Sequence, residues 1–315
     1  NDFGLNLSLS SDITYRILPQ PHFHIKDSKI YHTKSDVSNE IGEAKDLKIF
    51  VSQKNFFNKN NIKIKKIIFS KVNLFLKREN ISFIKNFIKN EFSEKKIFIK
   101  NSKLFFNDRD ENIVFIYSIK NLDLFKNKKE NIQKISTNGE LFKVPIKFQW
   151  LKNLENNNTI SNFKARKIDI SFTNKGNFIN GKYEYENNLN ISTNNFRTIY
   201  KINKDHIDFS SKKSLIKNTP ISFKGKIDTS PFSFEVKINA KDIDINYLLK
   251  NTSLLNEILI SGIFLNKNVN GVINIKTDDL YNNKIFKNAG IFFNFEEGEI
   301  NLNNSFLLNK KFAKL

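Results

Sequence analysis

The stretch Phe-Ser-Phe-Glu-Val-Lys-Ile, residues 232–238, alternates apolar and polar side chains without a break. Successive side chains of a β-strand point to opposite faces, so this period of two predicts a strand with one apolar and one polar face. The same alternation recurs in both directions along the chain, for example at 113–119 and at 293–295. The sequence therefore predicts a mainly β protein.

Asn-Gly pairs mark three candidate turns between the alternating segments. They are Asn138-Gly139, Asn180-Gly181 and Asn270-Gly271. Both residue types accept the positive φ angles of a tight hairpin turn. We expect these pairs to join consecutive antiparallel strands, so that the sheet is a meander.

Two segments break the alternation and space their apolar residues as an amphipathic helix does. They lie near 81–91 and near 245–259, and we predict a short helix at each. Two short helices cannot cover the apolar side of so many strands. That side must pack against a second sheet, as in a sandwich or barrel, or curve into a groove that something apolar fills.

The charge balance is strongly basic, because 52 Lys and Arg oppose 32 Asp and Glu and give a net charge of +20. Such an excess is typical of proteins that bind nucleic acid or an anionic membrane surface. Here, however, almost all of the cations are Lys, accompanied by abundant Asn, Ile and Phe, whose codons are rich in A and T. We interpret the charge as a base-composition bias and predict no specific nucleic-acid partner, with polyanion binding as an alternative.

Residue patterns that carry catalysis or bind metals are weak in this sequence. There is no Cys, which excludes a disulfide framework and a cysteine nucleophile. His22 and His24 would point the same way from one strand, as two metal ligands can, but the spacing marks no third ligand. Glu297 and Glu299 are interpreted as part of a turn, not as an acid–base pair. We predict no enzyme, no metal site and no cofactor.

The N-terminal region resembles a known family. A strand ends in Pro-x-Pro, here Pro19 and Pro21, and is followed by an apolar-polar strand and an acidic turn at Asp27. In this pattern the chain is similar to the AsmA family. The further segments that resemble the family are 44–51, 62–76, 97–106, 271–276 and 293–302.

The resemblance implies an elongated, curved antiparallel β-sheet that forms an open hydrophobic groove for phospholipid acyl chains. It implies a non-enzymatic protein of lipid transport in the periplasm of a Gram-negative bacterium, between inner and outer membrane. It also implies an anchor in the inner membrane, outside this chain. No apolar run is long enough to be that anchor, and the absence of Met, even at position 1, leads us to expect a piece of a longer product.

The two predicted helices suggest a boundary near 130, where the Lys/Asn/Glu-rich stretch 126–134 is a candidate loop. We therefore predict two regions, a β region at 1–130 with the helix near 81–91, which is AsmA-like by resemblance, and a continuing sheet at 131–315 with the helix near 245–259. An alternative function is that of an envelope assembly factor that engages outer-membrane assembly components and affects the insertion of outer-membrane proteins.

Alternating apolar residues are expected to line the groove. Removing an acyl chain from water is favourable by about 0.8 kcal/mol per CH₂, so such a groove needs no catalytic residue. The predicted lining residues are Ile97, Ile99, Phe115, Tyr117, Phe148, Trp150, Ile168, Ile170, Phe172, Phe232, Phe234, Val236, Ile238, Phe293 and Phe295.

Overall fold

The alternating segments form strands in a computed structural model of the protein. The protein is mainly β, and its strands form an open, antiparallel-rich sheet, which confirms the predicted fold class at this level. The structure describes residues 5–8, 12–34, 37–52, 63–77, 92, 94–107, 113–180, 182–203, 205–216, 219–229, 231–243, 267–280 and 285–309.

The chain divides into two compact units, residues 1–159 (unit 1) and 160–315 (unit 2). This division rests on contacts within each unit, whereas the boundary at 130 rests on the two predicted helices and the polar stretch 126–134. The boundary at 130 therefore stays a prediction.

In unit 1, most strands pair with their neighbours in the chain. The first two strands, β1 and β2, both lie beside β3, and the pairs from β3 to β5 and from β6 to β9 are antiparallel. The strands are β1 (Leu5–Ser8), β2 (Ile13–Arg16), β3 (His22–Lys34), β4 (Val37–Val51), β5 (Ile64–Lys77), β6 (Lys96–Asn107), β7 (Ile113–Asn127), β8 (Ile132–Leu141) and β9 (Val144–Asn153).

In unit 2, the strands from β11 to β16 form an antiparallel meander, and β18 pairs with β17, β19 and β20. The strands are β10 (Thr159–Ala165), β11 (Ile170–Ile179), β12 (Lys182–Ile191), β13 (Asn194–Ile202), β14 (His206–Ile216), β15 (Thr219–Thr229), β16 (Phe232–Ile243), β17 (Asn270–Leu280), β18 (Phe286–Glu296), β19 (Glu299–Asn301) and β20 (Phe306–Asn309).

Each unit contains one parallel pair that departs from the predicted meander. These pairs are β5 with β6 and β16 with β17. A parallel neighbour requires a crossover connection, because the chain must return to the same end of the sheet before the next strand begins. Residues 78–95 and 244–269 make these two connections.

The two predicted helices, near 81–91 and near 245–259, fall within these connections but lie outside the described residues, so the structure gives them no support. In the part of the chain that is described, the helical structure is a 3₁₀ turn at Arg166–Ile168. None of the helices there is long and apolar enough to cross a membrane.

Two of the three Asn-Gly turn predictions are wrong. Asn138-Gly139 lies inside β8, and Asn270-Gly271 begins β17. Asn180, with a φ of 49°, does lie between β11 and β12, while its neighbour at 181 is outside the described residues. Inside the strands these glycines leave room for close neighbours, which are the Phe234 ring at Gly271 and the Ser118 carbonyl with the Tyr117 ring at Gly139.

The core of unit 1 lies on one face of its sheet. Residues directly opposite each other on neighbouring strands form rows that run from β3 to β9. We call the side of the sheet that carries two of these rows the unit 1 apolar face. The rows are Ile25, Leu47, Phe69, Ile99, Leu122, Thr137 and Phe148, and Phe23, Ile49, Ile67, Ile97, Leu124, Ile135 and Trp150.

A line of bulges crosses unit 1 beside these rows. Asp27 on β3, Lys71 on β5 and Asn101 on β6 have positive φ angles of 49°, 54° and 48°. The strand pairing skips residues beside each of them. The register is the same on both sides of each interruption, so the paired strands carry it together and the alternation of side chains shifts by one in each strand. The core therefore includes both Leu47 and Ala44, which simple alternation would place on opposite faces.

Candidate apolar binding face

Unit 2 also has an apolar face, which we define by three rows across its strands. Cross-strand neighbours in such rows have side chains on the same side of the sheet. The rows are Gly176, Tyr185, Tyr200, Phe209, Gly225, Val236, Ile273 and Phe293; Ile207, Ile227, Phe234, Gly271 and Phe295; and Phe172, Leu189, Phe196, Ser214, Ile221, Ala240, Thr277 and Ala289. We call this side the unit 2 apolar face and its reverse the unit 2 polar face.

The unit 2 apolar face is less covered than the unit 1 apolar face. In unit 1, the buried cluster joins residues of many strands, with Leu47 at 0% exposure. In unit 2, the cluster on this face has Ile221 and Ala240 as its buried members. Most other apolar side chains of the face are half-buried, and Phe232 at its border is 39% exposed. Because apolar area in water costs about 25 cal/mol per Å², this face favours the binding of an apolar ligand.

Aromatic rings make up much of the unit 2 apolar face. The rings of Tyr185 and Tyr200 stack with their centroids 4.8 Å apart. Those of Phe163 and Phe172 stack at 5.0 Å, and Phe234 contacts Phe295 at 5.6 Å. Such pairs contribute about 0.5–1.5 kcal/mol each beyond the area that they bury. Cross-strand ring contacts thus help to hold the face together.

Several rings pack against glycines of the next strand. A Cβ built on Gly271 would come within 2.6 Å of the Phe234 ring. One on Gly225 would overlap the Phe209 ring and the Glu235 carbonyl oxygen, and one on Gly139 in unit 1 would overlap the Ser118 carbonyl oxygen and meet the Tyr117 ring at 2.8 Å. Glycine is needed at these positions because a side chain would collide with the ring at Gly271, and with a ring and a backbone carbonyl at the other two.

The tyrosine hydroxyls of the face are uncharged at neutral pH. Burial raises the pKa of Tyr200 to about 12, while a hydrogen bond from Asn174 acts in the opposite direction. Burial also raises the pKa of Tyr185 and of Tyr183. These groups can form hydrogen bonds with a ligand but do not act as general bases near pH 7.

A polar row interrupts the face on β11 to β14. It consists of Asn174, Asn187, Thr198 and Ser211, which lie opposite one another across these four strands. On β15 to β18 the same line is apolar, with Phe223, Ile238, Ile275 and Ile291. The unit 2 apolar face is therefore continuous on β15 to β18 and divided on β11 to β14.

In unit 1, the six predicted lining residues share one face. They are Ile97, Ile99, Phe115, Tyr117, Phe148 and Trp150. Ile97 and Trp150 are each 8% exposed, and the Phe92 ring lies 6.1 Å from the Trp150 ring. Phe92 belongs to the crossover connection, so these two residues lie in a covered core.

In unit 2, eight predicted lining residues lie on the unit 2 apolar face, namely Ile170, Phe172, Phe232, Phe234, Val236, Ile238, Phe293 and Phe295. Ile168 differs, because it belongs to the 3₁₀ turn and Asp169 follows it with a φ of 48°. The strand alternation at Ile170 therefore does not extend back to Ile168, and the prediction that Ile168 lies in a strand is wrong. That the predicted residues line a groove stays a prediction.

Tyr185, Tyr200 and Phe209 were not predicted as lining residues, although they lie next to one another in one row of the face. Short alternation is present at 183–185, 200–202 and 207–209, so a signal was available. What the sequence lacked was the register that places them beside Val236 and Phe293.

The two histidines on β3 contact other partners. Nε2 of His24 lies 3.0 Å from Oδ1 of Asp46. Nδ1 of His22 lies 2.7 Å from the Gln20 carbonyl, and its ring stacks on Phe50 at 4.9 Å. Over the described ranges, no group of three or more His, Asp or Glu side chains is placed to hold a metal ion.

Comparisons with known proteins do not identify a family for this chain. No protein-family model matches the chain, and no curated protein is similar to it. Among solved structures, a sex pheromone staph-cAM373 precursor aligns over 96% of this chain and 84% of its own length, at 10% identity and a TM-score of 0.15. A TM-score this low carries no argument about fold or function.

Proposed function

We propose that this chain is a non-enzymatic, AsmA-like protein that binds or conducts phospholipid acyl chains on the unit 2 apolar face. The observation that carries the proposal is the half-exposed row from Gly176 to Phe293, which crosses eight strands. The elongated, curved groove, the periplasmic location and the inner-membrane anchor belong to the proposal through the sequence resemblance.

The energetics of acyl-chain transfer support this ligand class. Each CH₂ removed from water contributes about 0.8 kcal/mol, so a chain laid along several strands gains binding free energy without a deep pocket. Strands are about 4.8 Å apart, and a row of aromatic and aliphatic side chains on neighbouring strands thus offers repeated contacts along a chain. The charged headgroup needs no place on the face, because it can stay in water.

The proposal is tested by native extraction of the full chain followed by lipid mass spectrometry. We expect phospholipid to co-purify. The variant Ile273→Ser, which changes a central row of the unit 2 apolar face, should reduce the lipid recovered per protein several-fold. The matched control is Ile179→Ser, because Ile179 is 47% exposed and lies on the unit 2 polar face.

Two results would contradict the proposal. One is wild-type protein that carries no lipid after extraction without detergent exchange. The other is an equal loss of lipid in both variants while circular dichroism shows that both are folded, since that would place the ligand elsewhere.

A further inference from the structure

The unit 2 polar face brings cations of neighbouring strands together. Arg197 on β13 lies directly opposite Lys213 on β14, and Lys224 on β15 lies directly opposite Lys237 on β16. All four side chains are exposed. Like charges in directly opposite positions destabilise a sheet. Repulsion between such exposed like charges favours the binding of an external anion beside them.

Other cations of this face have acidic partners. Nζ of Lys212 lies 3.4 Å from Oε1 of Glu186. Nζ of Lys226 lies 2.8 Å from Oδ1 of Asp228.

Lys237 pairs with Glu235 at 2.6 Å. By contrast, Arg197, Lys213, Lys224 and Lys276 form no ion pair with any residue that the structure describes. The four lie on β13, β14, β15 and β17, and β16 between the last two carries the paired Lys237. An uncompensated positive charge is thus concentrated on one part of the face.

Exposed aliphatic side chains accompany these cations. Ile199 follows Arg197 by two positions and is 45% exposed, and Leu215 follows Lys213 by two positions and is 40% exposed. Because residues two apart on a strand share a face, both aliphatic side chains stand beside the cations. We call Arg197, Ile199, Lys213, Leu215, Lys224 and Lys276 the basic patch.

This combination favours a membrane over a nucleic acid. Lys and Arg beside exposed aliphatic side chains are typical of surfaces that bind anionic headgroups and insert shallowly between them. Nucleic-acid surfaces use bidentate Arg side chains and exposed aromatic rings, whereas the basic patch has one Arg and two aliphatic residues.

We propose that the basic patch docks the protein on an anionic membrane surface, with its cations at lipid phosphates and Ile199 and Leu215 among the headgroups. The patch and the unit 2 apolar face are on opposite sides of the same strands. Docking therefore leaves the apolar face free, and the inference stands independently of acyl-chain binding.

The test is co-sedimentation of the full chain with vesicles of equal parts phosphatidylglycerol and phosphatidylcholine, and with vesicles of phosphatidylcholine alone. We compare Lys213→Gln/Lys224→Gln/Lys276→Gln with the control Lys100→Gln/Lys103→Gln/Lys120→Gln. Both variants lose the same charge, and the control residues are exposed on unit 1. Each basic residue at an anionic surface contributes about fivefold in affinity, so we expect the patch variant to bind the anionic vesicles about a hundredfold more weakly.

The variants distinguish docking through the basic patch from an effect of net charge alone. The control variant should bind nearly as the wild type does, and Ile199→Ser/Leu215→Ser should weaken vesicle binding without changing net charge. An equal loss in both charge variants would overturn the proposal, because net charge alone would then explain binding.

Duplex DNA bound as tightly as the anionic vesicles, with no effect of Ile199→Ser/Leu215→Ser on vesicle binding, would also overturn it in favour of a general polyanion surface. Lipid loading of the patch variant, measured by mass spectrometry, reports separately on the unit 2 apolar face.

Discussion

Serine hydroxyls replace missing backbone partners where the strands are bulged. Oγ of Ser102 accepts a hydrogen bond from Val72 N–H at 2.9 Å and donates one to the Lys100 carbonyl at 2.8 Å. In unit 2, Oγ of Ser214 accepts from Arg197 N–H at 3.0 Å and donates to the Arg197 carbonyl at 3.1 Å. A buried backbone group without a partner is costly, so these serines stabilise the irregular parts of the ladder.

Replacing Ser102 by Ala should destabilise the protein by about 1–3 kcal/mol, because it leaves the buried Val72 N–H without an acceptor. The control is Ser118→Ala, an exposed position on β7, where we expect a change within about 0.5 kcal/mol. Urea unfolding followed by circular dichroism measures both variants. Equal unfolding midpoints for the two variants would show that Ser102 has no such role.

Tyr200 should make stability depend on pH in the alkaline range. Its pKa is about 12 in the folded protein, against an ordinary value of 10.0. The unfolded chain therefore loses this proton first, so stability is unaffected by Tyr200 below about pH 10 and falls between about pH 10 and 12. We expect Tyr200→Phe to lose less stability than the wild type between about pH 9 and 11. Urea midpoints at the two pH values provide the measurement, and parallel losses would contradict the assignment.

At the scale of strands, rings and glycines fit together across neighbouring strands. Gly271→Ala should destabilise the protein by about 1–3 kcal/mol, since the new methyl group overlaps the Phe234 ring. In a Phe234→Leu background the same substitution should cost less, because the ring is absent. A double-mutant cycle by urea unfolding measures this coupling. Additive effects would mean that the backbone, and not the ring, excludes a side chain at Gly271.

The strands could be predicted because the alternation of apolar and polar residues indicates directly which side chains face the core. The segments 113–119 and 232–238 indeed lie in β7 and β16. The exceptions depend on partners that a single segment does not reveal. Asn270-Gly271 has the composition of a turn, yet it faces a ring of β16, and Ile168 continues an alternation that a 3₁₀ turn interrupts.

The residues of the unit 2 apolar face were also predictable only in part, because their placement depends on neighbouring strands. The bulge at Asn101 shifts the alternation within β6, and the parallel pairing of β16 with β17 sets which residues follow Val236 along the row. Both are properties of strand pairing. Phe234 and Phe293 were therefore found from the sequence, while Tyr200 and Phe209 needed the register.

At the scale of the whole molecule, the two units differ in how their apolar faces are covered. Leu47 and Ile25 in unit 1 are 0% and 2% exposed, whereas Tyr200 and Val236 in unit 2 are half-buried. Local opening is easier where fewer apolar contacts must break. The two units should thus differ in the stability of their backbone hydrogen bonds.

Hydrogen exchange should show this difference. We expect the amides of β4 to exchange more slowly than those of β13, although both are interior strands with partners on each side. Added phospholipid should slow exchange in β13 and leave β4 unchanged, because binding stabilises only the site that it contacts. Mass spectrometry of peptic fragments supplies the rates. Equal protection of β4 and β13 without lipid would contradict the prediction.

The rings packed over Gly225 and Gly271 affect how a ligand could move. A ring that projects beyond its neighbours fixes a bound chain in one register. A ring that fills the space above a glycine projects less, so a hydrocarbon chain on β15 to β18, where the face is continuous, would meet apolar side chains after each step of about 4.8 Å from strand to strand. Such a surface can bind a hydrocarbon chain without fixing it at one position. The bound chain could then slide without first being released.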